Sequence, residues 1–312
     1  MPELPEVTVI VNGLNKKLKG LELTGVEYDW PKKFLWGEYS IKDLKGAKVV
    51  GVERKGKVVI INCQAKNSRK NLAVIRPLQG STSNFSILIH LKLTGQLIYQ
   101  DKKTRFAGGH PLPPLNLPVP NKTTRATFVF DNGGHLYFND LRKFGWVKVV
   151  ISDKQSFSLN KLQVINAIGQ LGPDALEIPF AEFSERLKAK SQSRIKKLLM
   201  DQTFVSGIGN IYADESLWLA KVHPARSVVS LKDEEVKALY KGIHTSLELG
   251  IAKGGSSANS FVDSGGEKGL FLTFANAYHM TGRPCARCKT LIVRKKMDGR
   301  SAHFCPNCQQ LK

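Results

Sequence analysis

Four of the five cysteines stand near the end of the chain as two matched pairs, Cys285-x2-Cys288 and Cys305-x2-Cys308, separated by sixteen residues. This spacing is typical of a tetrahedral cage of thiolates around Zn²⁺. Four thiolates leave no coordination position open for a substrate, so the sequence predicts one structural zinc ion. A pair of redox disulfides is the alternative, and the matched spacing of the two pairs argues against it.

The segment between the two pairs predicts a β-hairpin with strands at 291–295 and 301–304. Asp298-Gly299 between these strands is a strong hairpin-turn signal. A metal-held hairpin with a basic tip suits a nucleic-acid groove. The basic residues of the tip are Arg294, Lys295, Lys296 and Arg300. The fifth cysteine, Cys63, lies in an apolar run and is predicted to be a small buried side chain.

The chain is strongly basic, since 47 Lys and Arg residues oppose 26 Asp and Glu residues for a net charge of +21. Such an excess implies a polyanionic partner, most often nucleic acid, and a basic surface that only aids solubility is the alternative. The sequence has no run of 18 apolar residues and no secretory pattern. We therefore predict a cytoplasmic, nucleoid-associated protein with no membrane partner.

Hydrophobic periodicity predicts an α+β protein. Val7, Ile10, Val11, Leu14 and Leu18 recur at helical spacing and predict a helix from Pro5 to Lys19. Short β-branched runs separated by Gly, Asn and Asp turns then predict a β-sandwich. These runs lie at 49–53, 58–62, 72–77, 85–91, 127–130, 136–138 and 146–151.

The second half of the chain is patterned differently. A proline cluster at 108–120 predicts an exposed loop, and helical patterning dominates from 160 to 252. The Gly/Ser-rich stretch at 254–269 fits a linker and a loop that closes on a ligand equally well.

The N-terminus offers a nucleophile if Met1 is removed, because Pro2 then carries a secondary amine whose pKa lies well below that of lysine. Such an amine can attack C1′ of a deoxyribose and form an iminium. The iminium acidifies C2′, so the 3′-phosphate can leave by β-elimination. Glu3 could move protons and Glu6 could hold the geometry. Many chains begin with Met-Pro, so this hypothesis depends on the other motifs.

A glycine pair, Gly207 and Gly209, precedes an apolar-periodic helical run. Glycines at a helix N-terminus let backbone amides approach an anion, and here predict a phosphate site with Asn210 beside it. The nearby Arg194, Lys196 and Lys197 either add cationic contacts or form a solvated helix face.

Taken together, these motifs resemble the formamidopyrimidine-DNA glycosylase (Fpg) family of the Fpg/Nei superfamily. The resemblance spans the chain, and separated motifs in the right order carry it. They are the opening Met1-Pro2-Glu3-Leu4-Pro5-Glu6-Val7, Arg54 to Lys57, Leu88 to Gly95, Asp140 to Gly145, Leu171 to Asp174, Gly207 to Leu217 and the four cysteines.

The resemblance implies a glycosylase that excises oxidised purines from duplex DNA and an abasic-site lyase. Pro2 would be the Schiff-base nucleophile and Glu3 the proton donor. Lys57 would serve β-elimination and Arg300 would serve δ-elimination, each also binding phosphate. The other expected DNA contacts are His90, Leu93, Arg142, Lys143, Phe144, Lys196, Asn210 and Tyr278. Leu93, Arg142 and Phe144 would fill the gap left by the flipped base.

The resemblance also implies four parts of the chain. They are a catalytic β-sandwich domain at 1–152, a helix–two-turn–helix domain at 160–252, a lesion-capping loop at 253–272 and a zinc finger at 273–312. We expect a monomer that binds damaged double-stranded DNA and uses no nucleotide cofactor.

Two alternatives remain at this stage. The endonuclease VIII (Nei) branch applies the same chemistry to oxidised pyrimidines, but its opening usually has Gly where this chain has Leu4. A non-catalytic zinc-finger DNA-binding protein would need neither Pro2, Glu3 nor Lys57. Several positions depart from the usual Fpg pattern: Leu93 replaces Met, Lys143 replaces Arg, Thr123 replaces His, the usual lysine-rich run is diluted at 190–194, and His279-Met280 replaces Gly-Arg.

Overall fold

The fold was analysed in a computed structural model, which describes residues 2–35, 41–65, 84–109, 117–151, 168–256 and 269–311. The chain forms two compact units. The first comprises 1–2, 6–170 and 259–268, and the second comprises 3–5, 171–258 and 269–312. The predicted strand at 72–77 and most of the Gly/Ser-rich stretch lie outside the described residues.

The N-terminal helix follows the predicted periodicity. Helix α1 spans Leu4–Leu18, within one residue of the predicted bounds at each end. The side chains that recur at helical spacing are almost completely buried in the core of the first unit. Burial of this apolar stripe, at about 25 cal/mol per Å² of apolar surface, is what stabilises the helix.

A ten-stranded sheet makes up most of the first unit. The order of the strands is β2-β10-β5-β4-β3-β1-β8-β9-β6-β7. Their bounds are β1 Glu22–Tyr28, β2 Phe34–Leu35, β3 Ala47–Lys55, β4 Val58–Gln64, β5 Asn84–His90, β6 Gly95–Gln100, β7 Arg105–Gly109, β8 Thr124–Phe130, β9 His135–Asp140 and β10 Trp146–Ile151. A short helix α2, Ile41–Leu44, precedes β3.

The predicted β-sandwich is one continuous hydrogen-bonded sheet that folds back on itself. The ring of Phe34, on the first strand of the sheet order, lies 6.1 Å from the ring of Phe128, on the seventh. Apolar side chains of both halves therefore share one core. The α+β class is confirmed, although the sequence missed β1, β2, β6 and β7.

The start of the predicted exposed loop was wrong, because Gly108 and Gly109 belong to β7 and are buried. A Cβ atom on Gly108 would lie 2.6 Å from Cγ1 of Ile10. Gly108 and Gly109, the first two residues of this proline-rich region, therefore pack within the sheet.

Helices dominate the second unit. They are α3 Phe180–Lys188, α4 Ile195–Leu199, α5 Asn210–Leu219 and α6 Asp233–Ala252. On α4, Ile195, Leu198 and Leu199 share a helix face that is buried. None of the helices in the described ranges combines the length and the apolar run that crossing a bilayer requires.

A two-stranded hairpin near the end of the chain completes this unit. Strands β11, Val293–Met297, and β12, Arg300–Phe304, are joined by Asp298 and Gly299. Both turn residues have positive φ, 49° and 77°, as a type I′ hairpin turn requires. The first strand begins two residues later than predicted, because Leu291 forms an isolated bridge with Pro284 instead.

Candidate active site and nucleic-acid interface

The Glu3 carboxylate is fixed at the N-terminus of α5. The backbone N–H groups of Gly209 and Ile211 donate to its two oxygens at 2.8 and 3.0 Å, and that of Tyr212 donates at 3.4 Å. Glu3 is buried. The amides that the glycine pattern predicted for a phosphate therefore hold a carboxylate of the same chain.

Glycine is required at position 209 for this arrangement. A Cβ atom there would lie 2.3 Å from Cδ of Glu3, closer than any van der Waals contact allows. The glycine thus lets the backbone approach the carboxylate closely.

Asn210 and Tyr278 lie next to this carboxylate in the second unit. The side chain of Asn210 hydrogen-bonds the Tyr278 hydroxyl. Burial raises the pKa of Tyr278, and the charge of Glu3 adds to the rise. Two predicted DNA contacts and the predicted proton donor therefore share one neighbourhood.

Lys196 does not lie on a solvated helix face. Its ammonium is buried and contacts Asp214 Oδ1 at 2.6 Å, and it donates to the carbonyl oxygen of Ser301 at 2.6 Å. Burial lowers the pKa of Lys196, while Asp214 and Glu3 act in the opposite direction. Arg300 is exposed at the start of β12, and its charge also lowers the pKa of Lys196.

Lys57 and His90 come together in the first unit. Lys57 lies in the turn between β3 and β4, and the register pairs Val58 with His90 on β5. Burial, followed by the charges of Lys92 and Lys57, lowers the pKa of His90 to about 3. The Nδ1 atom of His90 accepts the backbone N–H of Lys92 at 3.0 Å, so the ring is neutral with its proton on Nε2. Nε2–H is therefore a donor suited to a phosphate oxygen.

Asp140 ties together the two loops that carry the predicted gap-filling residues. Its Oδ1 accepts from the Thr94 hydroxyl and from the Arg142 backbone N–H, and its Oδ2 accepts from the Gly145 backbone N–H at 2.7 Å. The Thr94 hydroxyl oxygen also accepts from the Arg142 N–H at 3.0 Å. Leu93 directly precedes Thr94. The loop that carries Leu93 and the loop that carries Arg142 are therefore connected by these hydrogen bonds.

The loop after Asp140 presents its side chains outward. Arg142 and Phe144 are exposed, and the guanidinium lies 4.9 Å from the Phe144 ring centroid. Lys143 has a φ of 57° and its ammonium lies 4.3 Å from the Trp30 ring. An exposed aromatic ring beside an arginine is suited to stacking on bases.

The four paired cysteines form a metal site in the second unit. Their Sγ atoms all lie within 4.8 Å of one another. A tetrahedral zinc with Zn–S bonds of about 2.3 Å needs sulfurs about 3.8 Å apart, and Cys288 and Cys305 already lie 3.4 Å apart. Four thiolates and no oxygen donor fit Zn²⁺, so the predicted structural zinc is confirmed.

Comparison with known proteins assigns the chain. Models of the Fpg N-terminal domain, the Fpg H2TH domain and the zinc finger found in FPG and IleRS match residues 1–147, 171–262 and 282–311. The Fpg of Pelotomaculum thermopropionicum is 35% identical over 100% of both chains. The chain belongs to the formamidopyrimidine-DNA glycosylase family. It is a DNA glycosylase of base excision repair.

Solved Fpg structures have the same fold. A complex of Lactococcus lactis Fpg with abasic-site DNA matches with a TM-score of 0.77 and 29% identity, over 99% of this chain and 100% of that one. A complex of MutM with carbocyclic 8-oxo-G DNA matches with a TM-score of 0.78 and 30% identity over the same shares. These matches confirm the fold inferred from the sequence resemblance.

Sequence reasoning missed several residues that position the predicted site residues within each unit. Besides Asp140 and Asp214, the buried Glu215 accepts backbone N–H groups from Asn276, Ala277 and Tyr278 at 2.8–2.9 Å. Burial raises the pKa of Glu215. The available signal was the Asp214-Glu215 pair inside an otherwise apolar helix, since buried carboxylates need partners. Of the remaining predicted catalytic residues, Pro2 and Glu6 are buried.

Proposed function

We propose that the protein is a bifunctional glycosylase and abasic-site lyase that excises oxidised purines, 8-oxoguanine and formamidopyrimidines, from duplex DNA. The observation that carries this proposal is the Glu3 carboxylate, held by three α5 amides directly after Pro2 in the chain. A fixed acid next to an N-terminal secondary amine supplies a proton donor beside a nucleophile.

In the proposed reaction the Pro2 nitrogen bonds to C1′ as the glycosidic bond breaks. Glu3 supplies the proton that the departing base takes up, and the amine loses its own proton. The C1′–O4′ bond then breaks, O4′ takes up a proton, and the nitrogen lone pair forms the C1′=N⁺ bond of the iminium. Loss of a C2′ proton then expels the 3′-phosphate, and loss of the C4′ proton expels the 5′-phosphate. Lys57 supports the first elimination and Arg300 the second, while Glu6 holds the geometry. The product is a one-nucleotide gap with phosphate at both ends.

The proposed DNA contacts fall into two groups of side chains, one in each unit. In the second unit, Asn210 and Tyr278 bind phosphate beside the flipped nucleotide. In the first unit, Lys57 and the Nε2–H of His90 bind phosphate. The Leu93 and Arg142 loops fill the vacated stack, with Phe144 against the bases, Arg142 facing the opposite base and Lys143 adding charge.

Other features support the proposal. The net charge of +21 suits a DNA partner, and solved relatives are complexes with 8-oxo-G and abasic-site DNA. We place the protein in the bacterial cytoplasm at the nucleoid, as a monomer. The proposed domains are those predicted at 1–152, 160–252 and 273–312, with a lesion-capping loop at 253–272.

Borohydride trapping tests the nucleophile. The protein with Met1 removed is incubated with an 8-oxoguanine duplex and sodium borohydride, and the covalent adduct is quantified. We expect trapping by the wild type, loss of trapping by Pro2→Gly, and loss by a chain that keeps Met1. A full yield of adduct from the chain that keeps Met1, in which the Pro2 nitrogen is an amide, would place the nucleophile elsewhere.

A lesion panel tests the substrate. Cleavage rates on 8-oxoguanine and formamidopyrimidine are compared with those on thymine glycol and 5-hydroxycytosine in the same duplex. We expect the purine lesions to be cut faster. Faster cleavage of the pyrimidine lesions would favour the Nei-type activity instead.

A further inference from the structure

A buried charged trio links α4, α5 and β12 in the second unit. Asp214 lies on α5 and its side chain is fully buried. One oxygen contacts the Lys196 ammonium at 2.6 Å. The other contacts His303 twice, at 3.0 Å from the backbone N–H and at 2.9 Å from Nδ1.

The same trio holds the main chain of β12 at two points. Lys196 donates to the carbonyl oxygen of Ser301, and Asp214 accepts the N–H of His303. Arg300 directly precedes Ser301, so the first fixed point lies one residue from it. The backbone position of Arg300 is therefore set by side chains from two helices.

Burying these charges costs free energy, so their benefit to the protein must lie in the fixed directions of the contacts that they make. Desolvating an ion pair costs several kcal/mol per ion, and an apolar trio of equal volume is often at least as stable. What charges add over apolar packing is fixed geometry, since each oxygen and each N–H accepts only a narrow range of positions. The trio is therefore suited to setting the position of β12 rather than to maximising stability.

The Arg300 side chain borders an open cavity of about 210 Å³ beside this trio. The cavity is lined by Lys196, Lys197, Met200, Met297, Asp298 and Arg300. Lys196 is only 5% exposed, so its ammonium faces Asp214 and Ser301 and the exposed guanidinium of Arg300 is better placed to meet a phosphate.

We infer that Asp214 is a positioning residue: through Lys196 and His303 it fixes β12, and so sets where Arg300 meets the 5′-phosphate that leaves in δ-elimination. This inference rests on the proposed function. In δ-elimination the C4′ proton is lost and the C5′–O bond breaks, and the charge that develops on the leaving phosphate needs a cation at a fixed distance. Lys196 acts through Arg300 rather than by touching DNA.

The product ratio of elimination tests the inference. The full-length zinc-loaded protein without Met1 is incubated with a duplex that contains one abasic site, and β- and δ-elimination products are separated on a denaturing gel. For Asp214→Asn we expect the fraction of δ-product to fall roughly tenfold, which is less than the roughly 10²-fold that a displacement of about 1 Å can cause. Borohydride trapping should stay within about twofold of wild type. Equal losses in both would show a general structural role and overturn the inference.

A matched control is available in the same unit. Glu182→Gln removes the exposed ion pair with Arg186, 3.7 Å in length, which lies on α3 and not among the residues of the Arg300 cavity. It should leave the product ratio unchanged. If it lowers δ-elimination as much as Asp214→Asn does, loss of any ion pair of the unit suffices and the trio has no special role.

A pair of His303 variants covers the case in which Asp214→Asn loses zinc or unfolds. The His303→Asn amide can donate where Nδ1 does, whereas His303→Leu cannot. We expect His303→Asn to retain δ-elimination and His303→Leu to lose it, with trapping retained in both. Equal behaviour of the two variants would contradict the inference.

The salt dependence of DNA binding shows whether Lys196 contacts a phosphate directly or acts only by positioning Arg300. Loss of a direct phosphate contact lowers the slope of log Kobs against log [salt] by about one unit. We expect Lys196→Gln to leave the slope at its wild-type value and to reduce δ-elimination. A shallower slope would make Lys196 a phosphate contact and overturn its part in the inference. If the wild type itself shows no trapping, the proposed function fails, and that outcome is distinct from a changed product ratio.

Discussion

The carboxylate of Glu3 accepts a 2.8 Å hydrogen bond from the backbone N–H of Gly209, a residue 206 positions further along the chain. The Glu3 side chain, which follows Pro2 in the sequence, is therefore held by the N-terminus of α5 and not by residues of its own segment. The position of the proposed proton donor therefore depends on the helical unit.

Substitution of Gly209 tests this dependence. Because a Cβ atom would lie 2.3 Å from Cδ of Glu3, Gly209→Ala must displace the carboxylate. We expect base excision from an 8-oxoguanine duplex to slow by roughly 10²-fold, the effect of a displacement of about 1 Å. Trapping on DNA that already contains an abasic site should persist, since no base then needs a proton.

Gly25→Ala is the matched control, because the nearest atoms to its added Cβ lie at 3.9 Å. It should excise the base at the wild-type rate. Wild-type excision by Gly209→Ala would show that the Glu3 position does not limit the reaction.

The partly buried His90 predicts a pH dependence of stability. Its folded pKa of about 3 lies below the ordinary 6.5, so the unfolded state binds the proton first as the pH falls. The stabilisation is complete above pH 6.5 and is lost progressively towards pH 3. By pH 5 the loss reaches about 2 kcal/mol.

Urea unfolding of wild type and His90→Gln at several pH values measures this loss. The difference in unfolding free energy between the two proteins should shift by about 2 kcal/mol from pH 7.5 to pH 5. It should stay constant between pH 7.5 and pH 8.5. A difference that does not change between pH 7.5 and pH 5 would show that His90 titrates normally.

Local patterns predicted the local parts of this protein well. The spacing of Val7, Ile10 and Leu14 predicted α1, and Asp298-Gly299 predicted the hairpin turn, because each signal depends on neighbouring residues. The strands that were missed carry weaker patterns. Strand β1 is interrupted at Gly25, where its register with β8 shifts, and β7 ends in two glycines.

Long-range partners could not be predicted in the same way. The glycine pair predicted a phosphate site at α5, and nothing local to Gly209 shows that its amide binds the Glu3 carboxylate instead. Likewise, Lys196 belongs to a basic run that suggests either DNA contacts or a solvated face, and only the fold brings Asp214 and Ser301 to it. Such contacts depend on the packing of distant elements.

Zinc binding gives a prediction about the C-terminal hairpin. Cys308→Ser removes one of four thiolates, so zinc content should fall from one ion per chain towards zero, and δ-elimination should fall with it because β12 carries Arg300. Cys63→Ala is the control, since Cys63 is buried in the sheet and lies outside the cysteine cluster. Zinc content by metal analysis and product ratio on abasic DNA check both variants. A fully loaded Cys308→Ser protein would contradict the four-thiolate site.

The Thr94 hydroxyl links the Leu93 loop to the Arg142 loop, since it donates to Asp140 and accepts from the Arg142 N–H. Thr94→Val keeps the shape but removes both bonds, which costs about 2 kcal/mol of stability when one partner is charged. We expect 8-oxoguanine excision to slow roughly tenfold and any dependence of the rate on the base opposite the lesion to weaken, because Arg142 loses its fixed position. Trapping on abasic DNA should change little.

Thr24→Val provides the comparison for this last variant. It removes a hydroxyl that donates to the Val129 carbonyl oxygen at 3.1 Å within the sheet, away from both loops. Excision rates opposite cytosine and opposite adenine should match wild type for Thr24→Val and converge for Thr94→Val. If Thr94→Val keeps the wild-type ratio of these rates, the two loops position their side chains independently and Asp140 alone fixes Arg142.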